Sequence, residues 1–282
     1  MNAETIKWPD NKRIAVMMAF DLDAETMWTT HGDGSTAHMT NLSRGAYGPK
    51  QGVPRILDML DVHQVKATFF IPGVIAEKYP LVVKEIARRG HDIGFHGYLH
   101  EESTATTYEQ EDATMHRSEK IIYDLTGQKI AGHRAPGGVI HDYSLRLFLE
   151  HGYIYSSNWR DSDGPFLHQI DGKTVPLVEL PKDSIFDDTA YDFYTDAAPE
   201  RYGLKSPDEM YEIWKDEFDT LAVEGRVINF VLHPQFVGRA SRVQMLIRLI
   251  GYMKSHGAWL DTNRAVASWV LKQNGFSVPD HE

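Results

Sequence analysis

The segment Asp92-Ile93-Gly94-Phe95-His96-Gly97-Tyr98-Leu99-His100 joins a short apolar stretch to two histidines four residues apart. The apolar part is too short for a helix and rich in β-forming residues, so it predicts a strand that ends before His96. Gly97 lets the backbone turn between the two imidazoles. Histidines at this spacing can bind one metal ion, which also needs a third ligand, usually a carboxylate, and an open position for water. The fold should therefore bring a carboxylate to this strand end.

A second apolar segment, residues 13–20, has the length and composition of a strand that is covered on both faces. The acids that follow it at once are Asp21, Asp23 and Glu25. Acids at the end of a buried strand repel one another unless they share a cation or a proton, so this group indicates function. Asp23 and the two histidines would make a metal site that leaves positions for water and a substrate carbonyl oxygen.

Three further residues that follow predicted strands would complete a hydrolytic site. Asp21 lies on the same side of an extended segment as Asp23, within reach of the attacking water as general base. Arg134 can hold Asp21 ionised, although it could equally form a structural salt bridge. His233 can protonate a leaving nitrogen, although a histidine at a strand end can also serve only as a hydrogen-bonding residue. The set predicts hydrolysis of an amide-like bond.

Strands alternate with helices along most of the chain, which implies parallel pairing, and about seven such units favour a barrel over an open sheet. Capping boxes predict helices that begin after Thr107 and Ser206. The segment 27–51 shows no period, and we expect a long loop there. The segment 158–203 is irregular apart from the apolar residues 175–180, and the pattern assigns no elements to it. Both segments are long enough to cover the strand ends. No repeat or linker divides the chain, so we expect one domain over residues 1–282.

The composition excludes several classes of partner. The chain has 282 residues, 42% apolar residues and a formal net charge of -11, which argues against binding to a phosphate backbone. No stretch approaches the ~20 apolar residues of a membrane span, and residues 1–11 lack the apolar core of a signal peptide. We expect a soluble, cytoplasmic protein with a small-molecule substrate, no nucleic acid and no membrane partner, and a homo-oligomer stays open. Because the chain has no Cys, a zinc site must use nitrogen and oxygen ligands.

Aromatic and acidic residues outside these strand ends have structural alternatives. The aromatic residues that could line a substrate pocket are Tyr98, Trp159 and Phe166, although aromatic side chains at such positions more often pack in the core. The acids that we expect to be solvated in loops rather than catalytic are Glu25, Asp161, Asp163, Asp187 and Asp188.

These motifs resemble the polysaccharide deacetylases that share the NodB homology domain, carbohydrate esterase family 4. Residues 20–23, Phe-Asp-Leu-Asp, are similar to the family's first motif, which supplies a base and a metal ligand. Residues 96–100 match its His-x-x-x-His motif, and residues 134–136 match its Arg-x-Pro motif. Residues 232–233 are similar to its acid motif without the spacer, and its fourth motif falls around residues 159–163.

The resemblance spans residues 13–260 and implies a distorted (β/α)7 barrel with one divalent metal ion per chain, for which Zn2+ is expected. The catalytic residues that we predict are Asp21, Arg134 and His233, and the metal ligands are Asp23, His96 and His100. The residues that we predict to contact the substrate are Tyr98, Pro136, Trp159 and Asp163.

Departures from the family pattern bear on the substrate. The usual Thr-Phe-Asp-Asp-Gly is here Phe-Asp-Leu-Asp-Ala-Glu, and a long loop precedes residues 52–57. These features resemble a branch that contains cyclic imide hydrolases and proteins labelled peptidoglycan deacetylases. The predicted activity is hydrolysis of a non-peptide C-N bond, either the opening of a small cyclic imide or amide, or N-deacetylation of a polysaccharide, peptidoglycan or amino sugar.

Three other functions fit the sequence less well. A non-catalytic carbohydrate-binding barrel would not need both a base at Asp21 and an acid at His233. A sugar-isomerase-like barrel would need more carboxylates around its metals. The metal-independent allantoinase type, a related branch, is disfavoured because Asp23, His96 and His100 are retained together.

Overall fold

The apolar segment of residues 13–20 lies at the centre of the fold and forms two consecutive strands, β1 (Ile14–Met17) and β2 (Ala19–Asp21). The structure is a computed structural model that describes residues 6–29, 38–102, 106–193 and 204–279. Every residue of β1 and β2 is buried, as expected for a continuous apolar strand that is covered on both faces.

The strands form two sheets that meet at the break between β1 and β2. The other described strands are β3 (Thr68–Ile71), β4 (Asp92–Phe95), β5 (Gly132–His133), β6 (Tyr155–Ser156), β7 (Phe166–Ile170), β8 (Lys173–Glu179), β9 (Val227–Asn229) and β10 (Ala258–Leu260). The order in one sheet is β2-β3-β4-β5-β6-β8-β7, in which only β7 runs antiparallel to its neighbour. In the other sheet, β1 pairs in parallel with both β9 and β10.

Two isolated parallel bridges connect the sheets into a ring. Phe20 of β2 pairs with Leu232, three residues beyond β9, and Asp187, beyond β8, pairs with Val231. The strands therefore run round a distorted α/β barrel, which confirms the fold class predicted from the sequence. Parallel strands in such a barrel present their carboxyl ends, and the loops that follow them, on one face.

Helices lie between most of the strands. They are α1 (Thr26–Thr29), α2 (Met39–Tyr47), α3 (Val53–His63), α4 (Gly73–Lys78), α5 (Pro80–Arg88), α6 (Tyr108–Thr126), α7 (Ser144–Glu150), α8 (Thr189–Asp192), α9 (Pro207–Glu224), α10 (Pro234–Val237), α11 (Ala240–Ser255) and α12 (Asn263–Gln273). The two predicted capping boxes are formed, with Thr107 and Gln110 at the start of α6 and Ser206 and Glu209 at the start of α9. None of the helices described here is long and apolar enough to cross a bilayer.

The alternation along β1 separates two parts of the core. Ile14 and Val16 pack in the larger apolar cluster, which contains most of the helical core residues. Ala15 and Met17 pack in a second cluster together with side chains of α12 and the interior aromatic ring of Phe70. This period of two is the one expected for a strand with both faces buried.

The prediction of a long loop over residues 27–51 is wrong for the part that the structure describes. Residues 38–51 form α2 and a π-helical turn that leads into α3, while residues 30–37 lie outside the described residues. The sequence did not predict α2, because the side chain of its N-cap residue forms no capping hydrogen bond and because the helix contains Gly45, a poor helix former. A Cβ at Gly45 would lie 2.5 Å from the carbonyl oxygen of Ala24, so the glycine permits close packing on the loop that follows β2.

The segment 158–203, which the sequence left unassigned apart from its apolar residues 175–180, contains regular structure. Residues 166–179 form the β7–β8 hairpin, which turns at Asp171 and Gly172 with φ values of 52° and 72°. Asp-Gly is the favoured pair for a two-residue hairpin turn, and this signal was missed. Residues 194–203 lie outside the described residues.

Candidate metal centre and catalytic cavity

The barrel brings together, at one end, side chains that are far apart in the sequence. Asp21, Asp23, His96, His100 and His233 all line one cavity of about 230 Å³. Each of them lies at or just after the carboxyl end of a strand or of its bridged extension. The predicted gathering of these residues at the strand ends is therefore what the fold produces.

Two histidine nitrogens converge on one oxygen of Asp23. His96 Nε2 lies 3.2 Å and His100 Nε2 3.5 Å from Asp23 Oδ1. The Nδ1 atom of His96 lies 2.6 Å from the carbonyl oxygen of Arg134. Because that carbonyl can only accept, Nδ1 donates this hydrogen bond, and Nε2 is the nitrogen that faces Asp23.

The donor set fits a divalent cation. Asp23 Oδ1 is buried and lacks a hydrogen-bond partner, and all three ligand side chains are at most 3% exposed. A buried carboxylate oxygen without a hydrogen-bond partner is costly unless a positive charge lies beside it. Burial by itself would raise the pKa of Asp23, but His100, His96 and His233 hold it well below its usual range. An ionised carboxylate with two imidazoles is a typical donor set for Zn2+.

The backbone beside two of these ligands adopts an unusual conformation. Ala24, directly after Asp23, has a φ of 49°, and His100 itself has a φ of 65°. The left-handed region costs a residue other than glycine roughly 1–2 kcal/mol. Such residues occur preferentially at functional sites, where the surrounding structure imposes the conformation.

Asp21 is held beside the ligand set without being part of it. One of its oxygens accepts a hydrogen bond from Arg134 Nη1 at 2.7 Å, and the other lies 3.9 Å from His96 Nε2. Burial would raise the pKa of Asp21, but Arg134, His96 and His233 lower it overall. Asp21 is therefore an ionised carboxylate that borders the cavity, as a general base requires.

Arg134 contacts Asp21 rather than the cavity. Its side chain is fully buried, and its other nitrogens donate to Ser157 Oγ, to Asn229 Oδ1 and to the carbonyl oxygen of Phe230. The guanidinium lies 4.4 Å from the centre of the Phe70 ring. Arg134 is thus a positioning residue for Asp21, in agreement with the predicted role of holding that carboxylate ionised.

His233 is oriented by Asp188, which the sequence analysis predicted to be a solvated loop residue. Its Nδ1 lies 2.6 Å from Asp188 Oδ1, and its backbone N–H donates to the other oxygen of Asp188 at 2.7 Å. His233 Nε2 therefore faces the cavity, 3.4 Å from Asp23 Oδ2. Burial alone would lower the pKa of His233, but the Asp188 and Asp23 carboxylates outweigh it and raise that pKa.

Two of the acids expected to be solvated are buried, so those predictions are wrong. Asp188 is fully buried against His233, and Glu25 accepts a hydrogen bond from Tyr79 and pairs with Lys78. Asp188 lies nine residues beyond the end of β8, so the strand-end rule that identified Asp21 did not single it out. Asp161 and Asp163 are exposed, as expected.

The predicted substrate contacts do not line the catalytic cavity. Tyr98 donates its hydroxyl to Glu77 and carries the Arg117 guanidinium 3.6 Å from its ring centre. Pro136 is buried and borders a separate, smaller cavity beside Gly97. Ala135 and Gly137, on either side of Pro136, line the catalytic cavity instead.

In the segment assigned to the fourth motif, the two predicted substrate contacts, Trp159 and Asp163, lie outside the catalytic cavity. The Trp159 ring packs against His168 at 4.8 Å, and its backbone N–H donates to Glu179. Asp163 is exposed, and its carbonyl oxygen accepts from the Val227 N–H at the start of β9, the end of that strand away from the site. The residue of this segment that does line the cavity is Arg160, together with Lys182 from the loop after β8.

The chain is similar to known deacetylases along almost its whole length. Residues 46–156 match the family model described as polysaccharide deacetylase. The chain is 28% identical to a peptidoglycan deacetylase of Helicobacter pylori, over 93% of this chain and 98% of that protein. It is 30% identical to the crystal structure of a protein assigned as a polysaccharide deacetylase from Mycobacterium smegmatis, with a TM-score of 0.90 over 98% of this chain and 96% of that one.

The crystal structure of Puue allantoinase is also similar, with a TM-score of 0.85 and 24% identity over 98% of this chain and 96% of that chain. At that identity the likeness extends to the fold alone.

Proposed function

The chain belongs to the polysaccharide deacetylase family, and on that basis we propose that it is a metal-dependent hydrolase that opens a small cyclic imide or amide. Membership of this family supports hydrolysis of a C-N bond, and the metal ion and the cyclic substrate are proposed here in addition. The observation that carries it is the arrangement of Asp21, His233 and three converging ligands around one cavity of about 230 Å³. A base, an acid and a cation site around one small space are the parts that amide hydrolysis needs.

Asp23, His96 and His100 would hold the divalent ion. When bound, it would polarise the substrate carbonyl and lower the pKa of a water molecule. Asp21 accepts the proton of the attacking water, and Arg134, 2.7 Å away, keeps Asp21 ionised beforehand. The carbonyl carbon then gains the water oxygen.

His233 completes the reaction on the leaving side. Asp188 accepts the Nδ1–H of His233, and because Asp188 and Asp23 raise the pKa of this imidazole, the protonated ring also carries a proton on Nε2, which faces the cavity. As the C-N bond breaks, His233 Nε2 gives its proton to the departing nitrogen, and the proton from water remains on Asp21 until both groups are reset by solvent. The products are a carboxylic acid and a free amine or amide nitrogen, joined in one molecule where the substrate was a ring.

The size of the cavity favours a compact substrate. A space of about 230 Å³ lies below the range of roughly 300–1,000 Å³ for pockets that take drug-sized ligands, and a five- or six-membered ring requires less room than a glycan segment. N-deacetylation is the second candidate. The name of the Helicobacter pylori relative supports it, and an acetamide would present the same carbonyl group to the same residues.

Parallel assays of both bond types test the proposal. We expect the Zn2+-loaded protein to open succinimide or a dihydropyrimidine, measured as ring loss by absorbance, and to release little acetate from N-acetylglucosamine oligomers. Asp21→Asn is the control for contaminating enzymes. Faster acetate release than ring opening would overturn the cyclic substrate and leave the deacetylase, whereas turnover of neither class would contradict both.

A further inference from the structure

Two cationic side chains line the catalytic cavity apart from the residues of the mechanism. Lys182, in the loop after β8, is partly buried, and Arg160, in the loop after β6, is exposed at the mouth. The backbone N–H of Lys182 donates to the carbonyl oxygen of Trp159, which ties the two loops together. A Cβ at Gly138 would lie 2.4 Å from Arg160 Nη2 and 3.1 Å from Lys182 Nζ, so both cationic nitrogens converge on one place in the wall.

Neither cation has a carboxylate partner among the residues that the structure describes. Arg160 makes only long contacts, 3.4 and 3.3 Å, to the carbonyl oxygens of Gly138 and Gly137, and Lys182 Nζ makes no hydrogen bond or ion pair there. This is unexpected in a chain with 40 acidic and 29 basic residues. Two neighbouring positive charges repel each other, and a lysine away from bulk water loses solvation.

The acids near the two cations are already engaged elsewhere. Asp21 accepts from Arg134, and Asp188 accepts from His233. Asp183 caps the turn at Ile185, and Asp187 accepts from both the N–H and the hydroxyl of Thr189. Burial lowers the pKa of Lys182 and the Arg134 guanidinium lowers it further, whereas Asp21 and Asp187 raise it. None of the acids that the structure describes forms a hydrogen bond or ion pair with either cation, so both remain available to a ligand.

We infer that Lys182, assisted by Arg160, binds a carboxylate on the substrate, so that the natural substrate is an acid-bearing imide or amide rather than a neutral one. This inference rests on the proposed function. An ammonium beside a planar guanidinium suits the two oxygens of a carboxylate. Because the small cavity also contains the predicted ligands and base, the anionic group and the reacting carbonyl must belong to one compact molecule.

Binding to an inactive variant tests this inference separately from turnover. In the Zn2+-loaded Asp21→Asn protein, calorimetry should compare a carboxymethyl-substituted succinimide with its methyl ester, which differs mainly by the negative charge. A second pair, N-acetylglutamate and its dimethyl ester, covers the deacetylase alternative. We expect the acid of one pair to bind at least about tenfold more tightly than its ester, since a hydrogen bond to a charged group is stronger than one to a neutral ester.

Substitutions then assign the preference to residues. On the same background, Lys182→Met should remove most of the acid preference while ester affinity and metal content stay constant, Arg160→Gln should remove less, and Lys182→Arg should restore it. The matched control is Lys173→Met, at an exposed lysine on β8 outside the cavity. Equal binding of acid and ester in both pairs, or equal weakening of both by Lys182→Met with the metal retained, would overturn the inference. An acid preference without turnover of either bond type would instead leave the subsite standing and contradict the proposed function.

Discussion

The hydrogen bond of His96 Nδ1 orients this imidazole toward the candidate cation site. His96 Nδ1 lies 2.6 Å from the carbonyl oxygen of Arg134, which accepts its hydrogen bond, so His96 Nε2 is directed at Asp23. A second contact of this kind fixes the ring orientation of metal-binding histidines in general. The same residue, Arg134, thus supports the site twice, with its backbone under His96 and with its guanidinium on Asp21.

Asp21 and Asp23 should respond differently to substitution although only one residue separates them. Asp21→Asn should keep the metal, because Asp21 is outside the converging set, and should lose on the order of 10²-fold or more in kcat, since a general base contributes ~10²–10⁴. Metal analysis and turnover of the same preparation check this. Asp161→Asn, at an exposed acid, is the control. A near-normal rate for Asp21→Asn would remove Asp21 from the mechanism.

Asp188 should act through His233. Asp188→Asn should retain the metal and lower kcat by about tenfold or more, because the carboxylate that keeps His233 protonated is lost. The alkaline limb of the pH profile should also move to lower pH, since removal of that carboxylate lowers the pKa of His233. Measurement of kcat across pH checks both effects. An unchanged alkaline limb would show that Asp188 only fills space.

At the scale of elements, α6 and α7 are connected by an ion-pair group in which the imidazole is buried and the two carboxylates are partly exposed. His151, directly after α7, lies 2.7 Å from Glu119 and 2.9 Å from Asp112 of α6. Its side chain is 3% exposed, whereas that of His116, next to it on α6, is 69% exposed. Burial lowers the pKa of His151, but the two carboxylates outweigh it and raise that pKa above 6.5.

This arrangement predicts a pH-dependent stability. A histidine whose pKa is raised by folding stabilises the protein fully below its unfolded pKa, and the contribution is lost as the pH rises through the folded pKa. His151→Gln should therefore lower the free energy of unfolding by about 1–2 kcal/mol at pH 6 and by less at pH 9. Denaturant unfolding at both pH values checks this, with His116→Gln as the control of smaller effect. A loss that grows with pH would contradict the assignment.

An element could be predicted from the sequence when the interactions that form it lie within a few residues of one another. Helix α6 was predictable because Thr107 and Gln110 form a capping box within the first turn, and β4 because a short apolar run is bounded by polar residues. Helix α2 was not, since it depends on the packing of Gly45 against Ala24 from another part of the chain. For the site, the strand-end rule located the ligands, base and acid but could not show that Asp188 turns inward.

At the scale of the whole molecule, the barrel brings residues that are far apart in the sequence to one cavity. Asp21 and His233 lie 212 residues apart in the chain and border one cavity, because β2 and the extension of β9 are neighbours through the Phe20–Leu232 bridge. Lys182 and Arg160 reach the same cavity from two other loops. Loops carry most of the variable surface of such barrels, so the substrate is decided there while the ligand set remains on the strand ends.

Metal content with and without one ligand tests the central claim most directly. Mass spectrometry of the purified protein after loading with Zn2+ should find about one ion per chain, and His96→Ala should lose both the ion and turnover. The control is His116→Ala, because His116 belongs to another group of potential ligand atoms, with Asp112 and His151, that lie within 4.8 Å of one another. This control should keep both the ion and the activity. Full occupancy in His96→Ala, or full turnover by metal-free protein, would contradict the account.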